Sequence, residues 1–134
     1  MHMNCIPPRS ILESYPAFRE PIGSGTLHIR GEDAASLSFV SDASVDRVLG
    51  MNVIYFLDPL DIYLREVHRI LKPGGFVVWG CKEPAKQGDP EVFVNTDWDK
   101  CLGSMEAAGF RAEKGSVRLE GMASYTPLIG KKEL

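Results

Sequence analysis

The fold is decided by residues 58–79, which read DPLDIYLREVHRILKPGGFVVW. Asp58 is predicted to cap a helix, because its carboxylate can accept hydrogen bonds from the free amides of the first turn, and Pro59 suits the first helical position. Apolar residues then recur on one arc of the helix, and Pro73 ends it at Lys72. The residues after this turn, 76–79, are continuously apolar, which is typical of a strand that is covered on both faces.

Further strands and a second helix are predicted around this stretch. Val45–Met51 has the pattern of a buried strand, and Thr26–Arg30 alternates as a shorter strand would. Thr96 is expected to cap a second helix, which Gly109 stops, and 110–130 has the pattern of an antiparallel hairpin. A helix between strands predicts an α/β fold with a parallel crossover, here a mixed sheet with a C-terminal antiparallel hairpin and flanking helices.

Length and composition exclude several classes of protein. The chain has 134 residues, a net charge of −3 and 44% hydrophobic residues, which suits one folded unit. The acidic balance makes nucleic acid an unlikely partner, and the short apolar runs predict no membrane span. Three widely spaced cysteines and the lack of a secretion signal predict reduced thiols and a cytoplasmic location, and no metal site is expected.

The chain divides into two parts by composition. Residues 1–25 are rich in proline and glycine, and we interpret them as an irregular arm with at most one helical turn near Ile11–Tyr15. Residues 26–134 contain all of the regular patterns and form the predicted α/β domain.

Several motifs follow one another in an order that is similar to a known family. They are DAASLSF at 33–39, SVDRV at 44–48, EVHRILKPGG at 66–75 and EAAGF at 106–110. In this order the sequence resembles the class I S-adenosylmethionine (SAM) dependent methyltransferases, of the type 11 kind. The resemblance implies a truncated Rossmann-like methyltransferase sheet, with SAM as the cofactor of a transferase.

The resemblance also suggests site residues. Asp33 aligns with the residue that reads the adenine amino group in the family, and Ala34 and Asn52 occupy further remnant positions of the SAM site. Tyr55 and Phe56 follow Asn52 and are expected to face a substrate. The type of catalytic residue and the methyl acceptor are not indicated by any motif.

The family's glycine-rich SAM loop and the acidic residue that holds the ribose lie upstream of the matching region. Residues 1–25 offer only Gly23-Ser24-Gly25, which no apolar strand precedes. We therefore expect an N-terminally truncated domain that lacks this loop and does not bind SAM on its own.

The missing part of the sheet would expose the edge near Val45–Met51, so we predict a homodimer through this edge. The expected function is that of a homodimeric binding or regulatory module. Two alternatives remain open: an active SAM-dependent methyltransferase whose pocket a second chain completes, and a repurposed metal-dependent hydrolase such as a nuclease.

Overall fold

The computed structural model describes residues 9–83 and 89–134, apart from the side chain of Glu120. Helices and strands alternate along most of this length. The helices are α1 (Arg9–Glu13), α2 (Pro16–Gly23), α3 (Leu60–Ile70) and α4 (Trp98–Ala107), with a 3-10 turn at Ile54–Phe56. The strands are β1 (Val45–Met51), β2 (Leu71–Glu83), β3 (Phe110–Lys114), β4 (Arg118–Glu120) and β5 (Ala123–Lys132).

The strands form one five-stranded sheet in the order β1-β2-β5-β3, with β4 also paired to β5. Strands β1 and β2 are parallel and are connected through α3, whereas β5 runs antiparallel to β2, β3 and β4. The predicted α/β class, the parallel crossover and the C-terminal antiparallel hairpin are therefore confirmed.

The hydrophobic core lies between one face of the sheet and the helices α3 and α4. Val77, Trp79 and Cys81 alternate along β2 toward this core. The largest side chains that are almost completely buried come from both helices, the 3-10 turn and the sheet: Ile54, Leu64, Leu71, Met105 and Leu128. No helix in the described ranges is long and apolar enough to cross a bilayer.

The N-terminal part differs from the expectation. Thr26–Arg30 is not a strand, because the chain folds back onto α2, where the Leu27 amide donates to the Pro21 carbonyl at 2.9 Å. Alternation alone predicted this strand, and the described chain provides no neighbouring strand that pairs with it. The arm before it contains α1 and α2, two short helices rather than a single turn.

Strand β1 has the bounds that were predicted, but its side chains are not buried. Leu49 is 69% exposed and Met51 is 48% exposed. Within the described residues β1 pairs with β2 alone, so it is an edge strand. The apolar residues of this segment predicted a strand correctly. They did not show whether a second strand lies beside it.

The N-terminal ends of two helices differ from the predicted ones. Helix α3 begins at Leu60, one residue later than predicted, so Asp58 lies outside the capping position and Pro59 occupies it without a side-chain cap. Asp97 rather than Thr96 caps α4, with its carboxylate accepting from the amides of Asp99 at 3.1 Å and Lys100 at 3.3 Å.

Strand β2 is longer than the four apolar residues predicted for it. It begins at Leu71, and the 72–75 turn forms an irregularity within the strand, between the pairs Val45–Leu71 and Arg47–Phe76. The segment between β2 and α4 lies partly outside the described residues, which exclude 84–88.

Candidate functional site: a groove beside the sheet edge

A groove of about 440 Å³ lies between the outer edge of β1, helix α3 and residues 28–39. We call it the β1 groove. Its floor is apolar, with Val48, Gly50 and Trp79 contributed by the sheet. Its polar lining residues come from the N-terminal side and are His28, Arg30, Glu32 and Asp33, with Tyr63 from α3.

Asp33 and Ala34, two of the predicted site residues, both line the β1 groove. One carboxylate oxygen of Asp33 accepts a hydrogen bond from the Ala35 amide at 2.9 Å, a local turn of the chain. The same carboxylate hydrogen-bonds the Tyr63 hydroxyl; burial, followed by the charge of Asp33, raises the pKa of Tyr63. Asp33 therefore connects this loop to α3.

Arg69 fixes the loop that carries this groove wall. Its guanidinium donates to the carbonyl oxygens of Leu37 at 3.0 Å and Val40 at 2.9 Å, and to the Asp42 carboxylate at 2.6 Å. It also pairs with Glu66, as the i, i+3 spacing predicted. The hydrogen bonds to residues 37–42 span about thirty positions in sequence, so no local pattern indicated them.

Asn52 lies just after β1 and is not among the residues that line the groove. Its backbone has φ +56°, in the left-handed region that asparagine tolerates better than most residues. The Asn52 amide donates to the Gly80 carbonyl at 2.9 Å, and its side-chain oxygen accepts from the Tyr55 hydroxyl at 3.2 Å. Asn52 therefore closes the end of the strand.

Tyr55, which was expected to face a substrate, is a core residue. Its side chain is only 4% exposed, and its ring lies 5.6 Å from the ring of Phe93 and 5.8 Å from that of Trp98. Burial raises the pKa of Tyr55 to about 12. The 3-10 turn directs this ring under the 92–98 segment, and contact of Tyr55 with a substrate stays a prediction.

Phe56 is partly buried, with its ring centre 4.8 Å from that of Phe93. The two rings form an edge of the same aromatic cluster. Contact of Phe56 with a substrate stays a prediction.

Gly23-Ser24-Gly25, the glycine pair before the domain, ends a helix instead of beginning one. The Ser24 amide donates to the Glu20 carbonyl at 2.9 Å, and the Gly25 amide donates to the Ile22 carbonyl at 3.2 Å. Both amides are therefore used by the C-terminus of α2. Elsewhere, the described residues contain no group of three or more His, Cys, Asp or Glu that could hold a metal ion.

Part of the chain matches a known protein family. Residues 14–79 match the family model of a methyltransferase domain. The resemblance to class I methyltransferases is confirmed. No curated protein matches the sequence.

Solved structures of SAM-dependent methyltransferases are similar to this methyltransferase-like domain in fold. A possible histamine N-methyltransferase from Thermotoga maritima has a TM-score of 0.61 and 20% identity, over 88% of this chain and 70% of that chain. The 1,6-didemethyltoxoflavin-N1-methyltransferase of Burkholderia thailandensis, solved with S-adenosylhomocysteine, has a TM-score of 0.65 and 15% identity, over 90% of this chain and 58% of that chain.

A third similar structure comes from Haloferax volcanii, a putative methyltransferase in complex with the Trm112 methyltransferase activator. Its TM-score is 0.61 and its identity 17%, over 89% of this chain and 69% of that chain. The methyltransferase-like domain therefore spans between 58% and 70% of these three structures.

Proposed function

We propose that this 134-residue methyltransferase-like chain is a binding module that associates with a second copy of itself along β1, and that it does not bind SAM on its own. The observation that carries the proposal is the free outer edge of β1. Within the described residues this strand pairs only with β2, and it leaves Leu49 and Met51 largely exposed.

A free edge strand with exposed apolar side chains favours association. Its outer amides and carbonyls can pair with another strand, and natural proteins usually protect such an edge. An antiparallel pair of two β1 strands about a two-fold axis satisfies both edges at once. If the pair is centred on Val48, Leu49 of each copy lies beside Arg47 of the other, so the aliphatic part of Arg47 would cover Leu49.

The proposed lack of SAM binding rests on the residues that precede β1. In 9–44 the described chain forms two short helices and loops, with no strand that leads through glycines into a helix N-terminus. The Gly23-Ser24-Gly25 amides are used by α2, and the Asp33 carboxylate is used by Ala35 and Tyr63. These groups would have to exchange their present partners to hold a cofactor.

The competing function is that of an active enzyme whose cofactor pocket is completed by a second polypeptide. The Haloferax volcanii structure supports this second function, because it contains a putative methyltransferase together with an activator protein. In this function the β1 groove would form one wall of the pocket, with Asp33 facing the bound cofactor.

Calorimetric titration separates the two functions. SAM and S-adenosylhomocysteine are each titrated to about 1 mM into the purified chain, and circular dichroism confirms that the sample is folded. We expect no heat of binding with either ligand. Saturable binding at micromolar concentration contradicts the proposal, and its loss in Asp33→Asn would then assign the cofactor to the β1 groove.

A further inference from the structure

The face of the sheet opposite α3 and α4 carries a regular arrangement of basic and apolar side chains. We call it the open face. Its side chains alternate with the buried Val77, Trp79 and Cys81 of β2, and strand register arranges them in rows across the sheet.

The first row contains three cations around one aromatic ring. Arg47 is paired with Phe76, Phe76 with Lys131, and Lys131 with Arg111, so the four side chains follow one another across four strands. The Arg47 guanidinium lies 5.0 Å from the centre of the Phe76 ring. All three basic residues are exposed.

These cations are weakly neutralised by the rest of the described chain. Among the described residues, no carboxylate lies within 4.0 Å of the charged groups of Arg47 and Lys131. Arg111 is 3.8 Å from Glu133, and the side chains of Arg111 and Glu133 are both more than 60% exposed. An ion pair of this length between exposed groups contributes little. The row is therefore available to an acidic partner.

The opposite end of the open face is also basic. Lys82 of β2 and Arg118 of β4 lie on either side of Tyr125 of β5, and both are exposed. Five basic side chains thus lie on one face of a chain whose net charge is −3. Among the described side chains, Glu113 of β3 lies on the same face, and Glu133 is 3.8 Å from Arg111.

The surface between these two basic ends is aliphatic except at β3. The middle row contains Leu49, Val78 and Ile129 and ends at Glu113 on β3, and the next row contains Met51 and Pro127. A shallow cavity of about 420 Å³ lies here, lined by Phe76, Val78 and Ile129 among others. Leu49 and Met51 are the most exposed of these apolar side chains.

We propose that the open face binds an amphipathic helix of a partner protein that carries acidic residues on both sides of its apolar stripe. Six positions along β2 separate the two basic ends, which is about 20 Å at 3.3 Å per residue. A helix with side chains is about 10–12 Å across, so it fits on the aliphatic rows while its carboxylates reach the cations on each side.

A nucleic acid fits this face less well. Sequence-tolerant binding of single strands needs aromatic rings on which bases stack. The Phe76 ring is covered by Arg47, and Tyr125 lies at the other end of the face. The proposal does not depend on the proposed dimer or on SAM, because an antiparallel β1 pair would cover Leu49 in part but leave Val78, Ile129 and Pro127 of both copies open.

The test uses a synthetic helical peptide of about 18 residues, with a leucine stripe flanked on both sides by glutamate. Its binding to the full chain is measured by fluorescence anisotropy, and backbone amide NMR shifts locate the site. We expect saturable binding that is weakened at high salt, with shifts at Val78, Ile129 and their neighbours. A peptide with glutamine in place of glutamate should bind about tenfold more weakly.

Charge reversal provides matched variants. R111E/K131E changes two cations of the open face, and K100E/R65E makes the same change in net charge on α4 and α3, on the other side of the sheet. We expect about tenfold weaker binding of the glutamate peptide in the first variant and less than a twofold change in the second. Equal effects of the two variants, the absence of binding at about 1 mM peptide, or tighter binding of a single-stranded oligonucleotide overturns the proposal.

Discussion

Lys132 is a small feature with a clear energetic role. Its ammonium group donates to the carbonyl oxygens of His68 at 2.9 Å and Leu71 at 2.8 Å, at the C-terminal end of α3 where such carbonyls lack helical partners. We predict that Lys132→Met lowers the free energy of unfolding by about 1.5–3 kcal/mol, measured by urea denaturation. The neighbouring exposed Lys131→Met should change it by less than about 0.5 kcal/mol. Equal losses in the two variants would contradict this role.

His68 makes the stability of the fold depend on pH. Burial, followed by the positive charge of Lys132, lowers the pKa of His68, whose ring packs edge-on against Phe110 at 5.0 Å. Because the neutral form is favoured in the folded state, this contribution to stability is present above the unfolded pKa of about 6.5 and is lost as the pH falls below it.

We therefore predict that the free energy of unfolding falls between about pH 7.5 and pH 5.5, and that His68→Gln reduces this slope. The exposed His28→Gln is the control and should keep the slope of the unmodified chain. The role of His68 is refuted if the His68→Gln slope is as steep as that of the unmodified chain.

At this scale the sequence indicated some positions but not their partners. The motif around Asp33 indicated a residue of the cofactor site; Asp33 lines the β1 groove, and its contact with a cofactor stays a prediction. Its bond to Tyr63 joins positions thirty residues apart in sequence, so no local pattern reveals it. The burial of Tyr55 depends on a 3-10 turn that sets the direction of its ring, and sequence spacing gives little warning of such a turn.

Arg69 shows how one element holds another. Its planar guanidinium joins α3 to the carbonyl oxygens of the 37–42 loop, an arrangement that the single ammonium group of lysine cannot reproduce. We predict that Arg69→Lys lowers the free energy of unfolding and speeds amide hydrogen exchange in this loop.

Arg65→Lys is the matched control on the same helix. Arg65 pairs with Asp61 at 2.7 Å, but both side chains are more than 60% exposed, so the change should be below about 0.5 kcal/mol. If Arg69→Lys proves as stable as Arg65→Lys, with unchanged exchange at 37–42, Arg69 does not tether the loop.

The elements that were predicted best combine a strong periodic pattern with chain-breaking residues. The bounds of β1, the helix α3 and the strand that follows it were all indicated in this way. Thr26–Arg30 failed because a strand needs a partner, and pairing is a property of the assembled sheet. The cap of α4 moved from Thr96 to Asp97 because both residues suit a cap and only the local backbone selects one of them.

For the molecule as a whole, the sequence predicted the fold class through its methyltransferase motifs, and the similar solved structures agree with it. The homodimer through the outer edge of β1 stays a prediction, since pairing between two chains leaves no local pattern in the sequence. The proposed dimer therefore depends on the exposed Leu49 and on the strand that carries it.

The most direct test is the mass of the chain measured by light scattering after size-exclusion chromatography, at about 20 µM. We expect a dimer of twice the 14.8 kDa chain mass. Leu49→Lys should shift it to monomer, because a charge on an edge strand opposes pairing. Leu119→Lys changes another highly exposed leucine, on β4, and should remain dimeric. A monomeric unmodified chain at this concentration, or equal dimerisation of all three proteins, would contradict the account.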